Sequence, residues 1–213
     1  MLTFPSSTLV GRAVPKTAFY RNLELNARLK QRFVDDVAGI TWTAKIAPST
    51  LNVEDGKDVH EIVVFHFVLK AEDIPDDVFL TIDRQMPRHI IFLLQWKENY
   101  RLIVNYKEWH DGTKTQFDIV KTFRTEWMED GDLSLKIEGG NMDSIYASLV
   151  RQVAGGMITS QAKDIQVAIT ETRETESLKR SIAALENALA KEKQPRKKFE
   201  LHRQLLELKR KLK

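Results

Sequence analysis

HEIVVFHFVLK, residues 60–70, is apolar at nearly every position and rich in β-branched and aromatic side chains. Such a run predicts a strand, and the lack of polar alternation predicts one covered on both faces. Working upstream, ITWTAKI (40–46) alternates and predicts a second strand ending at Pro48, with a polar connection over 52–58 between the two. Before it, Asn26 is placed to cap a helix whose Leu29, Phe33 and Val37 align at i, i+4 and i+8, and Gly39 stands where a glycine would stop it. A short helix is expected around Phe19, Tyr20 and Leu23. Residues 1–15 read as an extended lead without periodicity.

Downstream, Ile74–Met86 predicts a helix with Pro75 in its first turn. A meander follows. Strands over 88–96 and 101–109 are joined by a tight turn at Lys97-Glu98-Asn99. Asp111-Gly112 is a hairpin dipeptide leading into 115–127, and Asp130-Gly131 leads into a last strand over 133–137. Gly139-Gly140 closes the strands. Asn141 or Asp143 then caps a helix with Ile145, Leu149 and Val153 on one stripe and Met142 and Tyr146 alongside. The order α, β, β, α, β, β, β, β, α predicts an α+β domain with a mostly antiparallel sheet covered by helices.

The C-terminal residues carry a different pattern. Leu178, Ile182, Leu185 and Leu189 recur at spacings of four, three and four, and Leu201, Leu205, Leu208 and Leu212 repeat them after Pro195. These are two short coiled-coil-type helices with a breaker between them. The connector at Pro195 is short, which favours an antiparallel hairpin within one chain over pairing between chains. The expected organisation is an α+β domain over 1–153, a hinge over 154–163 containing Gly155-Gly156, and a helical hairpin arm over 164–213.

Composition narrows the function classes. The 213 residues are 42% hydrophobic and 30% charged, without a cysteine, so no disulfide framework, thiolate nucleophile or zinc ribbon is available. That suits a reducing cytosol, and no signal peptide or membrane span is expected. The net charge of +3 is unevenly distributed. Residues 171–213 hold 13 Lys and Arg against 7 Asp and Glu, a net of +6, which leaves a net of −3 for residues 1–170. The arm is basic and the body mildly acidic, which favours an acidic partner for the arm.

No phosphate-binding loop, G-x-G-x-x-G, H-E-x-x-H or G-x-S-x-G is present. That argues against a P-loop NTPase, a dinucleotide enzyme, a zincin or an α/β-hydrolase. His60 and His66 have even spacing on one predicted strand and share a face, with no third ligand beside them, so they read as packed or hydrogen-bonded histidines. Asp58, Glu61 and Lys70 resemble the acid-plus-lysine set of metal-dependent nucleases, but the E-x-K spacing is missing. Asp83, Arg84, Arg88 and His89 cluster at a helix–strand junction and read first as a helix end whose basic residues complement its dipole. Trp42, Trp96, Trp109 and Trp127, with Tyr100 and Tyr106, read as core and cross-strand aromatics before a base-stacking platform. No catalytic residue, metal or cofactor is therefore assigned. Glu61, Asp83 and His89 are the nearest candidates. Arg196, Lys197, Lys198, Lys209, Arg210, Lys211 and Lys213 either contact phosphates or form the solvated face of the coiled coil, pairing with glutamates such as Glu186 and Glu192.

Three stretches, TIDRQMPRHIIFLLQW with the NYRLIVNYKEW strand after it, ITWTAKIAPSTLNV, and the tail LENALAKEKQPRKKFELHRQLLELKRKLK, together resemble the bacterial domain-of-unknown-function family 4391 along nearly the whole chain. Members are often encoded beside helicases and DNA methyltransferases in restriction-modification-like defence loci. The resemblance implies a cytoplasmic, non-catalytic accessory subunit that docks on such a helicase or methyltransferase, and it supplies no catalytic residues. Pairing with a second copy and direct contact with DNA or RNA are alternative uses of the arm. A divergent metal-dependent nuclease using Asp58, Glu61 or Asp83 is the remaining alternative.

Overall fold

Residues 62–69 form an inner strand in which only Val68 is exposed, as a run apolar on both faces requires. The computed structural model describes residues 2–72, 74–110 and 117–212. It divides into two compact units, Met1–Gly155 and Gly156–Lys213.

In chain order the first unit contains β1 (Leu9–Ala13), α1 (Lys16–Asn22), α2 (Ala27–Asp36), β2 (Val37–Ile46), the single turn α3 (Pro48–Leu51) and β3 (Ile62–Leu69). It continues through α4 (Asp77–Gln85), β4 (His89–Trp96), β5 (Asn99–Trp109), β6 (Phe117–Arg124), β7 (Met128–Glu129) and α5 (Met142–Ala154). The strands form one seven-stranded sheet in the order β1-β2-β3-β4-β5-β6, with β7 beside the start of β5. Among the described strands only β3 and β4 run parallel, and α4 is the crossover that this pairing requires. The other described pairings are antiparallel.

Pleating sends alternate side chains of β3 to opposite layers. Val63, Phe65, Phe67 and Leu69 enter the main core with Phe19 of α1, Phe33 of α2 and Phe79 of α4. Ile62, Val64 and His66 face the other layer, which also receives His89, Leu93 and Tyr106 through the strand register. There α5 buries Met142, Ile145, Tyr146, Leu149 and Val153, the stripe read from the sequence. Asn141 is its cap: its Oδ1 accepts from Ser144 N at 2.9 Å, and Ser144 Oγ accepts from Asn141 N in return. Gly155 ends the helix at φ +53, a left-handed conformation that suits glycine.

In the second unit, α6 (Ile165–Lys191) and α7 (Pro195–Lys211) form a helical hairpin across the connector at residues 192–194. Asp164 caps α6 by accepting from Gln166 N and Val167 N, and Pro195 sits in the first turn of α7.

The α+β fold with a mostly antiparallel sheet and a helical hairpin agrees with the sequence reading, and four local expectations are corrected. The lead contains β1, an edge strand exposed at every residue, so no apolar alternation marks it. Gly39 does not stop α2; the helix ends at Asp36 and Gly39 lies inside β2, which starts at Val37. Pro75 precedes the α4 cap rather than opening the helix. The strand expected over 133–137 is irregular chain, and only Met128–Glu129 pairs there. Asp111-Gly112 and Lys213 lie outside the described residues.

Candidate functional site

At the junction of α4 and β4 the chain gathers polar groups that its core would otherwise exclude. Asp83 and Lys107 both have fully buried side chains and meet at 2.7 Å from Oδ1 to Nζ. Lys107 Nζ also donates to the carbonyl oxygens of Asp83 at 2.9 Å, Met86 at 3.1 Å and Arg88. Asn105 Nδ2 donates to the other Asp83 oxygen at 3.0 Å, and its own Oδ1 accepts from Thr122 at 2.7 Å. Tyr146 reaches across from α5 to donate to the Asn105 carbonyl at 3.2 Å. Each partner is therefore satisfied, which is the condition for keeping charges out of water. Burial pushes the Asp83 carboxyl up and the Lys107 ammonium down, and their attraction and hydrogen bonds oppose both shifts.

The array fixes the turn from Met86 to Arg88, and that turn borders a cleft lined by Asp58, His60, Glu61, Arg88, His89 and Trp109. Glu61 bridges two cations there, with Arg88 Nε at 2.7 Å and Lys45 Nζ at 3.0 Å. His89 is buried, its ring 4.4 Å from that of Tyr146 and 5.1 Å from that of Phe117. Burial first, then the nearby Lys107 charge, push its pKa down to about 3, so the imidazole is neutral at physiological pH. Trp109 closes one side, stacked on Phe117 at 3.8 Å. Asp143 secures the loop opposite by accepting from Lys57 N, Asp58 N and Val59 N at 2.7, 3.2 and 2.8 Å. Gly56 sits so close to Asp143 and the Val59 carbonyl that a Cβ would clash with both.

The fold thus brings Glu61, Asp83 and His89 to one junction, Glu61 and His89 at the cleft and Asp83 behind it. The sequence places Asp83 at a helix end with basic residues, and Arg84 does lie in the last turn of α4, but Asp83 itself is buried in the ion pair. Lys107, the residue that organises the cluster, is not among the candidate residues of the sequence, because a lysine near the end of a strand carries no local sign of burial. Its one advance signal is even spacing from Ile103 and Asn105, which share its side of β5, although a register shift falls between Tyr106 and Lys107.

His60 and His66 do not share a strand. His60 precedes β3 and bonds Asp55 at 3.0 Å, whereas His66 is buried on the layer opposite the main core. Lys70 Nζ donates to the Val34 carbonyl, away from Glu61. Among the described residues no group of three or more His, Asp or Glu side chains is placed to hold a metal ion. Trp42, Trp96 and Trp127 pack against the main core, and the Arg101 guanidinium lies over the Trp127 ring at 4.5 Å.

In the arm, Ile182 and Leu205 are buried, and Leu178, Leu185, Leu189, Leu201 and Leu208 are half-buried. Leu212 is more exposed, at 37%. The stripes of the two helices are consumed by the hairpin. Lys209 pairs with Glu186 across it at 2.7 Å. Lys211 approaches Glu207 at 3.7 Å and Arg196 approaches Glu200 at 3.8 Å, each within its own helix. Glu192 accepts from the Gln194 backbone N at 2.7 Å. Arg196, Lys197, Lys198, Arg210 and Lys211 stand in solvent. Among the described residues no helix is long and apolar enough to cross a membrane.

A family model described as a domain of unknown function (DUF4391) matches residues 2–212. No curated protein and no solved structure matches the chain.

Proposed function

The chain belongs to the domain-of-unknown-function family DUF4391, and from that premise we propose that it is a non-catalytic assembly subunit of a bacterial, restriction-modification-like defence complex. In this reading it works in the cytoplasm and docks on a helicase or DNA methyltransferase of the same locus through its helical arm. The observation that carries it is the arm itself: the leucine stripes satisfy each other, leaving a cationic outer surface without a structural task. The body supports the same reading. Both Asp83 oxygens are committed to Lys107 and Asn105, and Glu61 to Lys45 and Arg88, so two of the three acids that a nuclease would use are held in structural pairs.

The test is co-expression of the tagged full chain with the products of its neighbouring genes, followed by size exclusion. Co-elution with the helicase or methyltransferase, lost when Arg196, Lys197 and Lys198 are changed together to Glu, is the expected result. Elution of the chain alone, as a monomer, overturns the proposal.

A second reading, contact of the arm with DNA or RNA, is favoured by those three adjacent exposed cations at the start of α7. It predicts that log affinity for a duplex falls linearly with log salt. Absence of binding at low salt disposes of it.

A further inference from the structure

The outer face of α7 carries a second periodic stripe that the hairpin leaves unpartnered. Arg196, Phe199, Arg203, Leu206 and Arg210 follow one another at spacings of three, four, three and four. That spacing returns to one side of a helix, drifting only about 20° per seven residues. All five side chains are exposed, Phe199 at 71% and Leu206 at 48%. The stripe therefore has the geometry of a coiled-coil seam, with arginine at one heptad position and a large apolar side chain at the other. Two carboxylates of the same helix flank it: Glu200, 3.8 Å from Arg196, and Glu207, which lies four residues after Arg203 and 3.7 Å from Lys211.

We infer that this seam docks an acidic amphipathic helix of a partner protein, one that alternates carboxylates and apolar residues at the same three–four spacing. The inference rests on the arm being the docking element proposed above. Charge decides among occupants. A second copy of α7 would bring a second row of guanidiniums to the seam and no seam carboxylate to neutralise either row, which is destabilising. A nucleic-acid backbone would satisfy the arginines and leave Phe199 and Leu206 in water. An acidic helix satisfies both, because its apolar residues fill between Phe199 and Leu206 while its carboxylates face the guanidiniums, which are suited to bidentate pairing.

The probe is a fluorescent synthetic helix of about three heptads with Leu and Glu at the two seam positions, titrated with the full-length chain. Binding that weakens with salt is expected, with no binding of the same peptide carrying Lys for Glu. Phe199→Ser with Leu206→Ser should weaken binding about tenfold at unchanged circular dichroism. Arg203→Gln with Arg210→Gln should weaken it similarly and flatten the salt dependence. Three results overturn the inference: no binding of the acidic peptide, tighter binding of a DNA duplex that ignores the Ser substitutions, or a self-dimer that those substitutions abolish. The co-elution experiment separates this inference from the reading beneath it. A native complex that survives the Ser substitutions removes the seam and leaves the assembly role; no native complex removes the assembly role.

Discussion

Lys107 holds the carbonyls of Asp83, Met86 and Arg88 and the Asp83 carboxylate with a single ammonium. Replacing it by Met leaves a buried carboxylate and three carbonyls without that donor, and should cost about 3–5 kcal/mol in urea titrations. Asp83→Asn combined with Lys107→Met should cost less than the two single changes added, since the second change removes the stranded charge. His89 contributes a pH dependence whose sign is set by its lowered pKa. It titrates at about 3 when folded, against the 6.5 of an unperturbed imidazole. Between those limits the unfolded chain binds a proton that the folded chain does not, so stability falls as pH drops through the window. The loss is on the order of a few kcal/mol by pH 3. Urea midpoints of wild type and His89→Leu between pH 7 and 4 should diverge, with the variant flatter. Parallel curves would refute the assignment.

At the scale of elements, the hairpin and the α5 terminus make separable claims. Ile182 and Leu205 lie at the buried seam, so either one changed to Ala should cost roughly 2 kcal/mol and lower the helical signal on heating. Leu206, one residue on and facing outward, should tolerate Ala within about 0.5 kcal/mol. Equal effects at 205 and 206 would contradict the packing of the arm. Asp143 joins the first turn of α5 to the loop at 57–59, accepting from three backbone N–H groups. Asp143→Ala should therefore cost about 2 kcal/mol, and it should speed hydrogen exchange at Asp58 and Val59 well before global unfolding.

For the whole molecule, salt should separate association from folding. The Asp83–Lys107 pair is buried and screened little, whereas the exposed cations of the arm are screened fully. Raising ionic strength from about 0.05 to 0.5 M should thus weaken the complex proposed for the arm severalfold through slower association and leave the melting temperature of the free chain nearly unchanged. A melting temperature that falls together with the binding would mean that surface charge holds the fold.

What the sequence alone determined is whatever depends on neighbours along the chain. The strand within 60–70, the stripe Ile145-Leu149-Val153, the cap at Asn26, the choice of Asn141 or Asp143 as the next cap and the hairpin around Pro195 all follow from spacing and local hydrogen bonding. The edge strand β1 escaped because exposure removes the alternation that marks a strand, and 133–137 misled because its composition is strand-like while the Lys136 backbone pairs with the Gln152 side chain of α5 instead of with a strand. The cluster at the cleft belongs to tertiary structure. Asp83, Asn105, Lys107, Thr122 and Tyr146 come from four different elements, and the low dielectric that makes their pairing matter exists only once those elements close over them. The arm divides in the same way. Its two leucine stripes were legible as periodicity, but only the folded hairpin decided that they face each other and that Phe199 and Leu206 face water, because a helix has several faces and burial chooses among them.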